Sequence, residues 1–190
     1  MLIDIEYMTQ LRARVLDRAA KRRNLIKHSG DALHLAKRAI FSIHRDVNHE
    51  AQLRLDAAQD HLLTLESMID ECPSLSDEGS YRAAVEEFVE AYSLIQFVRC
   101  EAIRTIPIRV SDEAYLAGMA DVVGELYRLS IRAATNNDHD TVIRARQAAE
   151  EIIGELIECE LTSYLRTKFD QAKGALAKIE HVVYDLSLRS

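Results

Sequence analysis

The sequence predicts an all-α protein, a single-domain bundle of about six or seven helices that spans residues 1–190. Three observations lead to this prediction. Apolar residues recur at helical spacing along nearly the whole chain. Residues that break helices are scarce, with 6 Gly and 2 Pro in 190 residues. No segment alternates apolar and polar residues in the way that supports a sheet.

The first helical segments each carry one apolar stripe. The pattern runs over residues 8–27 and continues over 33–43, and Gly30 between them is expected to kink or break the helix. A second helix is predicted over residues 48–70. The stripe of the first segment consists of Met8, Leu11, Val15 and Ala19.

The clearest loop covers residues 72–80, where Pro73 stands among residues that cap helices. A third helix is predicted over residues 80–104. An extended segment then follows, because Pro107 and its β-branched neighbours disfavour a helix. Ser111 is a predicted N-cap, followed by two acids that suit a first helical turn. The remaining helices are predicted at residues 112–135, 140–160 and 161–188.

Composition limits the class of protein. Hydrophobic residues make up 48% and charged residues 29%, as in ordinary globular domains. No apolar run reaches the roughly 18 residues of a membrane span, and no signal peptide is recognisable, so a cytoplasmic protein is expected. The cysteines, Cys72, Cys100 and Cys159, are too far apart for a metal cluster or a disulfide framework, and we expect reduced thiols mostly in the core.

The charge is distributed unevenly. Residues 1–45 hold ten Lys or Arg against four acids, a net charge of +6, and the other 145 residues carry −13. The overall charge of −7 argues against a simple nucleic-acid binder. A basic N-terminal segment on an acidic body could nevertheless face an anion, or it could be a solvated helix face.

Two acidic pairs stand on predicted helices. Glu87 and Glu90 are three residues apart, and Asp121 and Glu125 are four residues apart, so each pair shares one helix face. If the pairs face each other, their repulsion would raise some pKa values unless a cation compensates. Oxygen ligands suit Mg²⁺ or Mn²⁺, and such an ion would support hydrolysis of a phosphodiester. The alternative is a solvated face on which Glu125 pairs with Arg128.

Four blocks of the sequence resemble the translin and translin-associated factor X family. They occur in family order and together span nearly the whole chain. The blocks are K-R-A-I-F-S-I-H-R (37–45), E-F-V-E-A (87–91), A-Y-L-A-G-M-A-D-V-V-G-E-L-Y-R (114–128) and K-F-D-Q-A-K-G-A-L-A-K-I-E-H-V-V-Y-D-L-S-L-R (168–189).

The acidic pairs separate the two branches of this family. Translin lacks the E-x-x-E pair and the Asp before G-E-L, whereas Glu87, Glu90 and Asp121 match the ribonuclease site of the factor X branch. The resemblance therefore implies an endoribonuclease that depends on Mg²⁺ (or Mn²⁺), with these three residues as metal ligands. Glu125 stands at the position of a supporting fourth acid.

The resemblance also implies an assembly. The family fold is a helical bundle that forms a hollow barrel of about eight subunits with RNA inside, either single-stranded or a short duplex. This chain lacks the N-terminal extension, the insertion and the tail of eukaryotic factor X, which suggests a compact prokaryotic-type homo-oligomer. Two alternatives stay open: a barrel of the translin type that binds single-stranded RNA or DNA without cutting it, and a helical interaction protein without nucleic acid.

A basic cluster lies within the first block of the resemblance. Its members could contact RNA phosphates through sequence-independent attraction, or they could form surface salt bridges. Arg128, one turn after the acidic pair, could stabilise charge in a transition state or bind Glu125 structurally. The candidate RNA-binding residues are Lys37, Arg38, His44, Arg45 and Arg128.

Overall fold

Six α-helices form the protein, which we describe from a computed structural model for residues 3–103 and 105–188. No strand occurs in these described residues, so the all-helical prediction is confirmed. The elements are α1 (Ile5–Ile43), α2 (Asn48–Glu71), a short 3₁₀ turn (Pro73–Leu75), α3 (Gly79–Val98), α4 (Asp112–Thr135), α5 (His139–Ile157) and α6 (Ser163–Ser187).

The helices form two groups of three. In the first group α1 packs along α2 and α3, and in the second α4 packs along α5 and α6. The two groups meet where α3 lies against α4. Because α3 is covered from both sides, its apolar residues lie at the centre of the core, among them the fully buried Phe88 and Leu94.

Helix α1 is a single 39-residue helix, so the predicted break at Gly30 was wrong. A Cβ at Gly30 would meet no atom within 4 Å, and the residue keeps a negative φ. A glycine inside a helix costs about 1 kcal/mol, which is small beside the burial of α1 against two neighbouring helices.

Caps set several helix boundaries. The Ser111 hydroxyl accepts a hydrogen bond from the backbone N–H of Ala114 at 3.3 Å, which confirms the predicted N-cap of α4. The third helix ends at Val98, earlier than the predicted residue 104. Cys100 adopts the left-handed conformation with φ 59°, and a right-handed helix cannot continue through such a residue.

Two further expectations concern the burial of the cysteines and the presence of a membrane span. Cys100 is exposed and the other two cysteines are only half-buried, so the expectation of core thiols was wrong. Each of these cysteines lies just after the C-terminal end of a helix, where packing is incomplete. None of the helices in the described part of the chain is long and apolar enough to cross a membrane.

Candidate active site

A close approach of α3 and α4 brings the predicted acids together. At Gly118 of α4, an added Cβ would lie 2.8 Å from the backbone oxygen of Glu86 and 2.8 Å from the Cβ of Val89. Only a residue without a side chain permits this spacing. Glu87 and Glu90 on α3 thereby lie opposite Asp121 and Glu125 of α4, which follow Gly118 along the helix.

The carboxylates of the two helices are close enough to shift one another's pKa values. Glu90 is 8% exposed, and its pKa is raised to about 9, first because burial disfavours its charge and then because Glu87, Asp121 and Glu125 are negative. Burial is also the main reason that the pKa of Glu87 is raised. The structure thus brings all four predicted acids into one cluster, which we call the acid cluster (Glu87, Glu90, Asp121 and Glu125).

Helix α6 supplies a cation to this cluster. The Lys168 ammonium donates hydrogen bonds to Asp121 and, at 2.6 Å, to Glu86. The Tyr164 hydroxyl donates to the same Glu86 carboxylate at 2.7 Å. Burial raises the pKa of Asp121, although the bond from Lys168 opposes that effect. Burial alone would lower the pKa of Lys168, but the bonds to the two carboxylates outweigh it and the pKa is raised.

The C-terminal end of α1, with its cap residue His44, and Arg128 of α4 supply a second set of partners. His44 donates a hydrogen bond to Glu125, and Arg128 donates to both oxygens of the same carboxylate at 2.8 and 3.0 Å. Burial alone would raise the pKa of Glu125, but these donors outweigh it and the pKa is lowered. Lys37 lies 3.7 Å from Glu87 and is well exposed.

The predicted RNA-binding residues therefore fall into two sets. His44 has a side chain that is only 10% exposed and is bound to Glu125, and Arg128 is bound to Glu125 as well. Both bind the Glu125 carboxylate in the structure, although Arg128 keeps a largely exposed side chain, so their contact with RNA stays a prediction. Arg38 and Arg45 are exposed on α1, and Arg45 lies over the Phe41 ring at 5.4 Å from the ring centre.

Glu90 differs from the other three acids because no cation of the described residues forms an ion pair with it, and the charge of Lys168 only partly opposes the rise of its pKa. Among the described residues, none donates a hydrogen bond to the Glu90 carboxylate. A nearly buried carboxylate without a partner is costly, and proteins retain one chiefly where it has a use. Its neighbours are other carboxylates, so a cation is the natural missing partner.

The residue types of the acid cluster suit a divalent cation, but their side chains are not arranged around one metal position. Carboxylate oxygens are the ligands of Mg²⁺ and Mn²⁺, and Mg²⁺ needs only one or two of them beside water and substrate phosphate. In the described residues no group of three or more His, Cys, Asp or Glu side chains is positioned to hold a metal ion. The reason lies in the contacts above: Asp121 is turned toward Lys168, and Glu125 toward His44 and Arg128.

The sequence reasoning missed Lys168, Tyr164 and the part played by Glu86. Glu86 stands four residues before Glu90, a spacing that places both on one helix face, and this was a usable signal. Lys168 is 82 residues from Glu86 and 47 from Asp121. No spacing rule within one helix connects residues so far apart.

Comparisons with known proteins identify relatives of this chain. The sequence model of the Translin family matches residues 20–190. Translin-associated protein X of Pongo abelii is 24% identical over 216 residues, which cover 89% of this chain and 73% of that protein. Translin of Gallus gallus is 31% identical over 106 residues, 55% of this chain and 46% of that protein.

Solved structures give the same fold. AfC3PO in complex with duplex RNA superposes with a TM-score of 0.90 at 24% identity, covering 96% of this chain and 97% of that one. A second AfC3PO structure has a TM-score of 0.89 at 26% identity, with 96% and 98% covered. Apo-NeC3PO has a TM-score of 0.81 at 20% identity, with 97% of both chains covered. The six-helix bundle is therefore a fold found in these proteins.

Proposed function

This chain belongs to the Translin family, and from that premise we propose that it is a metal-dependent endoribonuclease that cleaves RNA inside an oligomeric barrel. The observation that carries the proposal is Glu90, a nearly buried acid that lies among three other acids and forms no ion pair with any described residue. A purely structural cluster would balance each acid with a base, as the chain does for Glu125.

Three residues of the acid cluster are the proposed metal ligands. Glu87, Glu90 and Asp121 would hold Mg²⁺ or Mn²⁺, which when bound supplies an activated water and neutralises charge on the scissile phosphate. Glu125 is already ionised and oriented by His44 and Arg128, so it is suited to accept a hydrogen bond from the attacking water. The structure supports these roles through proximity and burial.

Lys168 has a place in this proposal. In the structure its ammonium satisfies Asp121 and Glu86, so the acids of α3 and α4 do not repel one another unopposed. A divalent cation bound at Asp121 would compete with Lys168 for the same oxygen. The lysine therefore sets the affinity of the site for metal.

The proposed RNA contacts lie on α1. Lys37, Arg38 and Arg45 are exposed, and Lys37 borders the acid cluster at Glu87. Cations at this edge would attract phosphates without reading sequence and would draw the backbone toward the acids. His44 and Arg128, which we expected to bind RNA, act in this proposal by positioning Glu125.

The assembly is proposed from the relatives. AfC3PO was solved in complex with duplex RNA, and its subunit matches this chain over nearly the whole length. We infer a homo-oligomer of about eight copies in the cytoplasm, with single-stranded or short duplex RNA in the interior. The acid cluster would have to face that interior in order to meet RNA.

Cleavage of labelled RNA by the purified protein tests the function. We expect cutting with Mg²⁺ or Mn²⁺ and none with EDTA. Glu90→Gln and Asp121→Asn should each abolish cleavage and leave RNA retention in a gel intact, whereas Glu180→Gln, an exposed acid on α6, should cut as the parent does. Full cleavage by Glu90→Gln would refute the assignment of the site.

A second function is favoured by the cations that already bind the acids. Lys168 and the His44–Arg128 pair neutralise much of the cluster without metal, and the match to translin of Gallus gallus covers half of the chain. A barrel that binds single-stranded RNA or DNA without cutting it would fit both observations. Retained but uncut RNA in Mg²⁺ and in EDTA alike would establish this function over the nuclease.

A further inference from the structure

The first half of α1 is a helix that is left largely uncovered by the described residues of the subunit. Residues 5–23, which we call the arm, are exposed except for Leu11, Ala19 and Lys21, which are half-buried. The first fully buried residue of α1 is Leu25. The arm is about 28 Å long at 1.5 Å per residue, and most of it precedes residue 20, where the family match begins.

The arm has the composition of a docking helix. It exposes apolar side chains at helical spacing, among them Met8 at 40%, Val15 at 57% and Leu16 at 62%. An isolated helix of this length is marginal in water, because most helical stability in proteins comes from packing of an apolar face. We therefore expect the apolar face of the arm to pack against another protein surface.

The arm is also basic. It holds six Lys or Arg against Glu6 and Asp17, a net charge of +4. Four of these cations form no ion pair with any described residue: Arg12, Arg14, Arg18 and Arg23. Two arms paired with each other would place like charges together, so the arm requires an acidic partner.

A groove of the opposite character lies on the second group of helices. Its main cavity has a volume of about 930 Å³ and lies between the loop after α3, the start of α4 and the end of α5. A second cavity of about 660 Å³ shares four of its lining residues, so the two are continuous. We call both together the groove; its apolar lining includes Ile103, Leu116, Met119, Ile152 and Leu156.

The charges of the groove complement those of the arm. Every charged side chain among its described lining residues is acidic, and these are Glu101, Asp112, Glu151 and Glu155. None of the four forms an ion pair within the described part of the chain. An acidic rim repels RNA phosphates, so the groove is not a place for nucleic acid.

We propose that the arm of one copy docks into the groove of a neighbouring copy and thereby joins subunits of the assembly. The apolar stripe would cover the apolar floor, and the unpaired arginines would meet the unpaired acids, which is helix-in-groove recognition. Arm and groove lie on different helical groups of one subunit, so each copy offers both halves of the contact. The inference rests on the homo-oligomer of the proposed function.

Charge reversal on both sides tests this contact. Arg14→Glu with Arg18→Glu reverses two adjacent positions on the arm, and Glu151→Lys with Glu155→Lys reverses two on the rim; all four side chains are exposed. Each double variant should raise the concentration at which the assembly dissociates by at least about 10-fold, because like charges then oppose each other. The variant that carries all four substitutions should dissociate at the same concentration as the parent.

The readout is molar mass by light scattering against protein concentration, without RNA or metal, with circular dichroism as the check of folding. Glu180→Lys with Asp185→Lys on α6 is the control of equal charge and should leave the mass unchanged. Arm variants that dissociate without rescue by the groove variants would overturn the groove as the docking site. Arm variants that lose RNA but keep their mass would assign the arm to nucleic acid instead.

A monomeric parent would remove the oligomer on which both this inference and the barrel depend. If the parent is an oligomer and none of the charge reversals changes its dissociation, this inference alone is overturned and the proposed nuclease is unaffected.

Discussion

Lys168 of α6 lies between Glu86 of α3 and Asp121 of α4, and its ammonium binds both carboxylates. Three helices therefore meet at one half-buried charge. The contact explains how a chain can hold five acids on two facing helices and remain folded without metal. It also provides a way to alter the balance of charge at the acid cluster by a single substitution.

Lys168→Met should destabilise the protein and strengthen its binding of metal. Removal of the ammonium leaves Glu86 and Asp121 facing each other, which we expect to cost about 1–3 kcal/mol at pH 7 because both are half-buried. The competing cation is then gone, so the Mn²⁺ affinity should rise several-fold. Thermal unfolding in EDTA and Mn²⁺ titration by calorimetry measure the two effects.

Lys178→Met is the matched control, since Lys178 is exposed on the same helix beside the Tyr127 ring. It should change neither quantity. Unchanged stability of Lys168→Met in EDTA would contradict the role assigned to the lysine.

Glu90→Gln should stabilise the metal-free protein increasingly as pH rises. The pKa of Glu90 is about 9 in the folded protein and near 4.5 in the unfolded chain. The folded state binds the extra proton between these values, so this contribution to stability is complete below pH about 4.5 and is lost as pH rises through 9. Glutamine does not titrate, and its advantage should reach about 1–3 kcal/mol near pH 8–9.

Melting temperatures in EDTA at pH 5, 7 and 8.5 measure this effect. An advantage of a few kcal/mol corresponds to roughly 2–4 °C per kcal/mol for a chain of this size. Glu180→Gln should show no such trend. A difference between Glu90→Gln and the parent that stays constant from pH 5 to 8.5 would show that Glu90 is ionised throughout.

Mg²⁺ should stabilise the parent more than Glu90→Gln or Asp121→Asn. A ligand that binds only the folded state raises its stability with concentration, and loss of a ligand oxygen weakens that linkage. We expect the melting temperature of the parent to rise between 0 and 10 mM Mg²⁺ and that of both variants to stay nearly flat. Equal increases in all three proteins would place the cation elsewhere.

Gly118→Ala should destabilise the protein, whereas Gly30→Ala should stabilise it. The new Cβ at residue 118 meets the backbone oxygen of Glu86, which cannot move without a shift of α3, and the expected cost is about 1–3 kcal/mol. At residue 30 no atom lies within 4 Å, and alanine should gain about 0.5–1 kcal/mol. Urea unfolding compares the pair, and equal signs would contradict the close approach of α3 and α4.

His44→Ala should cost about 1–2 kcal/mol, because Arg128 is then the one strong donor to Glu125 left among the described residues. His44→Gln, which can still donate to the carboxylate, should recover part of the loss. The control is His49→Ala at an exposed position of α2, which we expect to be neutral. Urea unfolding at pH 7 measures all three variants, and a neutral His44→Ala would contradict the contact with Glu125.

The helices could be predicted because apolar spacing and caps are local properties. Ser111 is an example: one hydroxyl before two acids marks the start of α4, and the structure has the bond that the sequence predicts. Gly30 shows the limit, since local propensity indicated a break and packing on α2 and α3 removed it. Cys100 shows another, because nothing in the sequence marks its left-handed conformation.

The candidate site was predictable to the same extent. Each acidic pair follows from helical spacing, and the family resemblance suggested that the pairs belong together. The partners of the acids did not follow, because Lys168 and His44 reach them from helices that are distant in sequence. Such contacts depend on how helices pack, which periodicity within one helix does not determine.

The unbroken course of α1 through Gly30 links two parts of the molecule mechanically. The helix is about 58 Å long at 1.5 Å per residue, and the arm forms its N-terminal part. Lys37 near its C-terminal end contacts Glu87, and His44, which caps that end, contacts Glu125. A continuous helix transmits a tilt along its whole length. If the arm docks on a neighbouring copy as proposed, a tilt of α1 upon docking would also shift Lys37 and His44 and with them the positions of the Glu87 and Glu125 carboxylates.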